Sequence, residues 1–209
     1  MSEYFVPFAD AQSEFTEKRS RFIGQIFRVG TEAEARARIE QVKKKYYDAR
    51  HNCWCYVLHE GGIVRYGDDG EPQGTAGQPM WNVLQREGVE NAVCVVTRYF
   101  GGVLLGAGGL TRAYARAAKD ALDAAGKARM RRWTRLRVAC PYPLLERVQR
   151  LSEARSGVAE DSEYGAGVTL TLRLPEENAA AFAAALTELS NGTVTPETLG
   201  AVFLPGGRE

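Results

Sequence analysis

The spacing of apolar residues changes character several times along the chain, and each change predicts an element. Residues 20–29, SRFIGQIFRV, read as a strand. The next segment, TEAEARARIEQVKKKYY, puts Ala35, Ile39, Val42 and Tyr46 on one helical face. Thr31 and Glu34 form a capping-box pattern at its start, and the lysines at 43–45 suit its C-terminus. HNCWCYVLHE and GIVRYGD follow as two strands joined around Gly61-Gly62. DDGEPQGTAGQ is a loop, PMWNVLQREG a short helix with Pro79 near its start and Gly88 after its end, and ENAVCVVTRYF a strand. LTRAYARAAKDALDAA is an alanine-rich helix stopped by Gly126.

From Arg129 the order is strand (RMRRWTRLRVACP), helix (PLLERVQRLSEA), two strands joined by a Gly-Ala-Gly turn (GVAEDSEY and GVTLTLRL), helix (AAAFAAALTEL) and strand (TLGAVFL). This β-α-β-β-α-β order is the split-βαβ, ferredoxin-like pattern. The expected fold class is therefore α+β, with a domain over 1–128 and a second over 129–209.

Composition narrows the picture without naming a function. Apolar residues make up 44% and charged residues 25% of 209, as in a soluble globular protein, and the net charge of +1 creates no global field for nucleic acid or membrane. No apolar run is long enough to span a bilayer and no leader pattern opens the chain. The four cysteines are too sparse for a disulfide scaffold, so a reducing cytoplasm is expected.

Candidate chemistry concentrates in RYFGGVLLGAGGLTRAYARAA, residues 98–118. Gly101, Gly102, Gly106, Gly108 and Gly109 lie between Arg98 and Arg112. Neither GxxxxGK[ST] nor GxGxxG is satisfied. Glycines nevertheless bring backbone N–H groups close to an anion, and a helix N-terminus adds partial positive charge. Arg112 is expected in the first helical turn, where a cation opposes the macrodipole unless an anion is bound. Arg112, Arg116 and Lys119 form one stripe. Close packing of loop on helix, with the arginines paired to Asp120 and Asp123, is the competing explanation.

Three further clusters carry similar alternatives. Asp68, Asp69 and Glu71 could hold Mg²⁺ or supply a base, or could build a turn and a helix entry. His51, Cys53, Cys55 and His59 share a strand face, but Cys-x-Cys on an extended strand suits packing better than tetrahedral metal chelation, so no metal site is expected. In RMRRWTRLR, alternation puts Arg131, Trp133, Arg135 and Arg137 on one face, expected to be the open face of the sheet. A basic and aromatic surface of that kind suits single-stranded RNA, and an ion-paired surface using Glu160, Asp161 and Glu163 is the alternative.

The stretches HNCW, DDGEPQGTAG and RYFGGVLLGAGGLTRAYARA occur in that order and resemble the YigZ/IMPACT family over residues 10–125, with a weaker likeness continuing through the second domain as in bacterial two-domain members. The resemblance implies a ribosomal-protein-S5-domain-2-like first domain, shared with GHMP kinases and domain IV of elongation factor G, and a second domain like domain V of that factor. Its motif residues are His51, Asp68, Asp69, Glu71, Gly74, Thr75 and Gly77 with Arg98, the loop glycines and Arg112. Cys55 stands where relatives often have a small residue such as alanine. Eukaryotic relatives restrain a starvation-response kinase by competing for its activator. No RWD module precedes this domain here, so that role is not expected to transfer.

The combined expectation is a non-enzymatic, cytoplasmic protein without cofactor, associated with RNA or the ribosome and linked to regulation of translation. Arg98, Arg112, Arg116 and the glycine loop would hold a backbone phosphate, with Arg131, Trp133 and Arg135 extending the contact. A Mg²⁺-dependent enzyme using Asp69 or Glu71 on a nucleotide or phosphorylated small molecule, and a regulator that binds another protein, are the alternatives. No membrane partner is expected.

Overall fold

The computed structural model describes residues 4–208, which divide into two compact units. The first holds the residues up to Met130 and the terminal stretch from Pro205, and the second is Arg131–Leu204. The fold is mixed α/β throughout.

The first unit runs β1 (Phe5–Pro7), β2 (Ala11–Glu17), β3 (Ser20–Arg28), α1 (Glu32–Lys45), β4 (His51–Leu58), β5 (Ile63–Gly67), α2 (Gly77–Arg86), β6 (Ala92–Tyr99) and α3 (Gly106–Ala125). Its sheet has the order β2-β3-β6-β4-β5, antiparallel at every pairing. Central β6 is buried on both faces, which is why AVCVV is apolar without alternation. Ala92, Cys94 and Val96 face α2 and α3 in a core with Phe22, Ile26, Met80, Leu84, Tyr114 and Leu122. Val93 and Val95 face α1, against Ile39, Val42 and Tyr56. Thr31 caps α1 by accepting the Glu34 N–H at 3.2 Å, while the Glu34 carboxylate reaches back to the Gly30 N–H at 2.7 Å.

The second unit is built on β7 (Lys127–Cys140), α4 (Leu145–Glu153, entered through a 3₁₀ turn at Tyr142–Leu144), β8 (Val158–Tyr164), β9 (Val168–Pro175), α5 (Glu176–Leu189) and β10 (Glu197–Arg208). The strands lie in the order β10-β7-β9-β8. Leu136 pairs with Leu172 and Val138 with Leu170, and this apolar face packs on Val148 of α4 and on Phe182 and Leu186 of α5.

Two features differ from the sequence pattern. Strand β2 gives no apolar signal, because it is an edge strand with polar residues at most positions, and β1 is only three residues long. Helix α3 begins at Gly106 rather than at Leu110, so three of the motif glycines lie within its first turn and Arg112 lies beyond it.

Helix α3 packs tightly on the sheet at Gly24, where a Cβ would meet the Ala117 carbonyl oxygen at 2.4 Å and the Ala121 Cβ at 3.3 Å. Gly24→Ala should force helix and strand apart and lower stability by about 1–3 kcal/mol, seen as a reduced urea midpoint with unchanged secondary structure by circular dichroism.

Candidate anion-binding site

The acidic loop is organised by its own carboxylates. One Asp68 oxygen accepts the Gly74 N–H at 2.7 Å, and the other accepts the Ala76 and Gly77 N–H groups at 3.1 and 2.9 Å. Asp68 thereby caps α2, whose own N-cap Ala76 has no side-chain acceptor. Thr75 donates its hydroxyl to the Pro72 carbonyl at 2.7 Å, and Gly74 turns the chain at a φ of +77°. Asp69 accepts the Asn52 N–H at 2.7 Å and pairs with Lys43 at 3.0 Å. The His51 Nδ1–H donates to the Asp69 carbonyl at 2.9 Å, and the Cys53 thiol donates to the Asp68 carbonyl at 2.9 Å. Gly77 approaches the backbone of Gly67 so closely that a Cβ would sit 2.9–3.1 Å from it.

Glu71 turns inward. Its carboxylate meets Arg98 Nη1 at 2.6 Å and accepts the Tyr114 hydroxyl at 2.8 Å, and both members of the ion pair are buried, with side chains 6% and 4% exposed for Arg98 and Glu71. Arg98 also reaches the Ser20 hydroxyl at 3.3 Å and lies between the rings of Phe22 and Phe100. Burial pushes the Tyr114 hydroxyl far above its ordinary range, and Cys53 and Glu71 push it the same way, so Tyr114 is a fixed donor to Glu71.

These contacts correct two expectations. Arg98 does not face a ligand across the glycine loop; its guanidinium is consumed by Glu71 inside the protein. Asp69 and Glu71 are likewise committed, Glu71 beyond the reach of a solvated metal. Spacing along a chain does not show which carboxylate folds back onto which cation, and here the loop delivers Glu71 to Arg98.

The glycine segment itself is a short loop, 100–105, followed by the start of α3. Gly101 packs on the turn between β2 and β3, where a Cβ would lie 2.0 Å from the Arg19 backbone, and its N–H bonds the Ser20 hydroxyl at 3.2 Å. Leu105, the N-cap residue of α3, offers no side-chain cap. Arg112 folds back so that a Cβ on Gly108 would be 3.5 Å from its Nη1. A cleft of about 160 Å³ opens beside this first turn, lined by Lys18, Gly109, Arg112 and Arg116, with Phe15 and Glu17 on its walls. Arg116 lies 4.1 Å from the Phe15 ring centre and pairs with Asp120 at 3.3 Å, and Lys119 pairs with Asp123 and Glu87. Arg112 has no carboxylate partner among the described residues. Lys18, at a φ of +44° in its turn, joins the cleft through a contact between distant segments that no sequence motif reveals.

In the second unit the arginine strand does not form an open aromatic surface. Trp133 is 4% exposed; its indole N–H donates to the Leu204 carbonyl at 3.0 Å, and Arg173 stands over its ring at 5.2 Å. Arg135 pairs with Glu160 at 2.7 Å and Arg137 with Glu197 at 3.3 Å, while Arg131 and Arg132 lie 3.7 and 3.3 Å from Glu177 and Glu176. Trp133 therefore has no free ring face on which a base could stack. Alternation gave the side of the sheet correctly, but not what covers it.

Fold and motifs together define a class of mixed α/β protein in which an antiparallel sheet, clamped by an inward-turned acidic loop, precedes a smaller α/β unit. Residues 18–122 match the Impact N-terminal domain and residues 138–193 match a domain of unknown function, DUF1949; the chain belongs to the IMPACT family. It is 35% identical to IMPACT family member YvyE of Bacillus subtilis, over 92% of this chain and 89% of that one. It is 34% identical to IMPACT family member YigZ of Escherichia coli, over 93% and 97%. A crystal structure of a hypothetical protein, 34% identical, superposes with a TM-score of 0.60 over 94% of this chain and 97% of that one. Among the described residues no helix is long and apolar enough to cross a membrane.

Removing one member of the buried pair should be costly. Arg98→Ala or Glu71→Ala is expected to lower unfolding free energy by about 3–5 kcal/mol, measured by urea denaturation, because the remaining charge stays buried. The cysteines set a second expectation. Burial pushes the Cys53 and Cys55 thiols well up and Cys94 up to about 12 from an ordinary 9.0. Each folded value lies above its unfolded one, so this stabilisation is complete below about pH 9 and is lost as pH rises toward about 12. The urea midpoint should fall from pH 8 to about pH 10, and Cys94→Ala should make that fall shallower.

Proposed function

We propose that this chain is a non-enzymatic RNA-binding protein that associates with the ribosome and serves in regulation of translation, holding backbone phosphate in the cleft beside the start of α3. The observation that carries this reading is Arg112. Its guanidinium lacks a carboxylate partner among the described residues and lies with Lys18 and Arg116 around a concave surface next to a helix start that no side chain caps. The resemblance to translation regulators supports the same direction, and relatives named Protein IMPACT homolog in Dictyostelium discoideum and Schizosaccharomyces pombe are 36% and 32% identical over 48% and 44% of this chain. We assign the first unit the ribosomal-protein-S5-domain-2-like fold and the second the ferredoxin-like fold. The strand order β10-β7-β9-β8 with two helices on one face supports the latter.

A regulator that binds another protein is the second reading, supported by the exposed Phe100, Val103 and Leu104 on the loop before α3. The Mg²⁺-dependent enzyme loses its support with the structural use of Asp68, Asp69 and Glu71.

Binding to single-stranded RNA should weaken as salt rises. Arg112→Ala should reduce the slope of log K against log salt by about 0.7–1, since one phosphate contact is lost, and Lys18→Ala should act similarly. Fluorescence anisotropy across a salt series measures both. Absent or salt-independent RNA binding, with capture of a protein through Leu104, would favour the second reading.

A further inference from the structure

A second concave site lies on the opposite face of the first unit's sheet, where α1 leaves part of β4 and β5 uncovered. The cleft there is about 380 Å³, within the range of small-molecule sites. Its floor is aromatic. Trp54 and Tyr56 alternate with the inward Cys53 and Cys55 and so share the α1 face, their rings 12° from parallel with centres 5.7 Å apart. Trp54 is the cross-strand partner of Gly67. A Cβ on Gly67 would lie 2.8–2.9 Å from three adjacent indole atoms, Cε2, Cζ2 and Nε1. A point that far from all three bonded atoms lies out of the indole plane, beside its Nε1–Cζ2 edge. The indole is therefore packed against the glycine backbone, half-buried, and it lines the cleft.

The walls are cationic. Arg36 and Lys43 project from α1 at positions that share a helix face, and Arg65 stands on β5 opposite Tyr56. Lys43 is paired to Asp69, but Arg36 and Arg65 have no carboxylate partner among the described residues; Arg65 donates to its neighbour's Val64 carbonyl. Glu40 lines the cleft, and Glu32 accepts the Tyr56 hydroxyl, so that carboxylate is already engaged. A simple anion would use the arginines and leave the indole idle. An uncharged aromatic would do the reverse. A planar base joined to a phosphate uses both.

We propose that this cleft binds a nucleotide unit, its base stacked on Trp54 and its phosphate held by Arg36 and Arg65. The nucleotide is either free or part of an RNA strand, and this site does not depend on the cleft at Arg112.

The test is a ¹H–¹⁵N spectrum of the full chain, in which the Trp54 indole signal is assigned by Trp54→Phe. AMP should move that signal and leave those of Trp81 and Trp133 in place, while ribose 5-phosphate and inorganic phosphate should not move it. Arg65→Gln and Arg36→Gln, both at exposed positions, should each weaken AMP binding about tenfold with the spectrum otherwise preserved. A short oligouridylate that binds much more tightly than UMP identifies an RNA strand as the source, and equal affinity identifies the free nucleotide. If neither AMP nor the oligonucleotide shifts Trp54, or if ribose 5-phosphate shifts it as AMP does, the proposal is overturned. Retention of the AMP response in Arg112→Ala separates this outcome from failure of the phosphate cleft.

Discussion

The first unit depends on one requirement, that the Glu71 carboxylate be delivered to the Arg98 guanidinium inside the protein. Two buried charges are tolerated only when each is bonded to the other and to further polar groups. Tyr114 and Ser20 supply those groups from α3 and β3. Meeting the requirement explains the rest of the loop. Asp68 must gather backbone N–H groups so that the chain can turn, Asp69 must anchor to β4, and His51 and Cys53 must hold the loop's carbonyls. Three stretches far apart in sequence are thus one hydrogen-bonded assembly. The Ser20 hydroxyl, shared between Arg98 and the Gly101 N–H, extends it to the loop that leads into α3.

What was legible in the sequence follows from periodicity. The face assignments of Ala35, Ile39 and Val42, and of Arg131, Trp133, Arg135 and Arg137, come from short-range geometry, because side-chain direction repeats along an element. The capping role of Thr31 was legible for the same reason. Contacts between elements were not. The burial of Arg98, the covering of Trp133 and the entry of Lys18 into the cleft each depend on segments dozens of residues apart, and composition treats every arginine alike. The early start of α3 was hidden by glycine, whose helix propensity is poor even where the backbone is helical.

The cationic stripe shows how a correct local rule can mislead about function. Arg112, Arg116 and Lys119 do follow one another along α3, but the same i, i+4 geometry gives Arg116 and Lys119 the carboxylates of Asp120 and Asp123. Arg112 would find its i+4 partner at residue 116, another arginine. Its charge is therefore uncompensated by the rule that neutralises its neighbours.

A net charge of +1 leaves little long-range attraction for an anionic partner. At physiological ionic strength charges interact over only about 8 Å, so the cations around Arg112 and those around Arg65 act as separate local sites. A partner that gains little from distant attraction must gain it on contact. That places a premium on preorganised surfaces: the framework tied by Glu71 and Arg98 fixes where α3 begins, and the glycine packed against Trp54 fixes the place of its indole. Both clefts are held by packing that forms whether or not anything binds, so little ordering remains to be done when a ligand arrives.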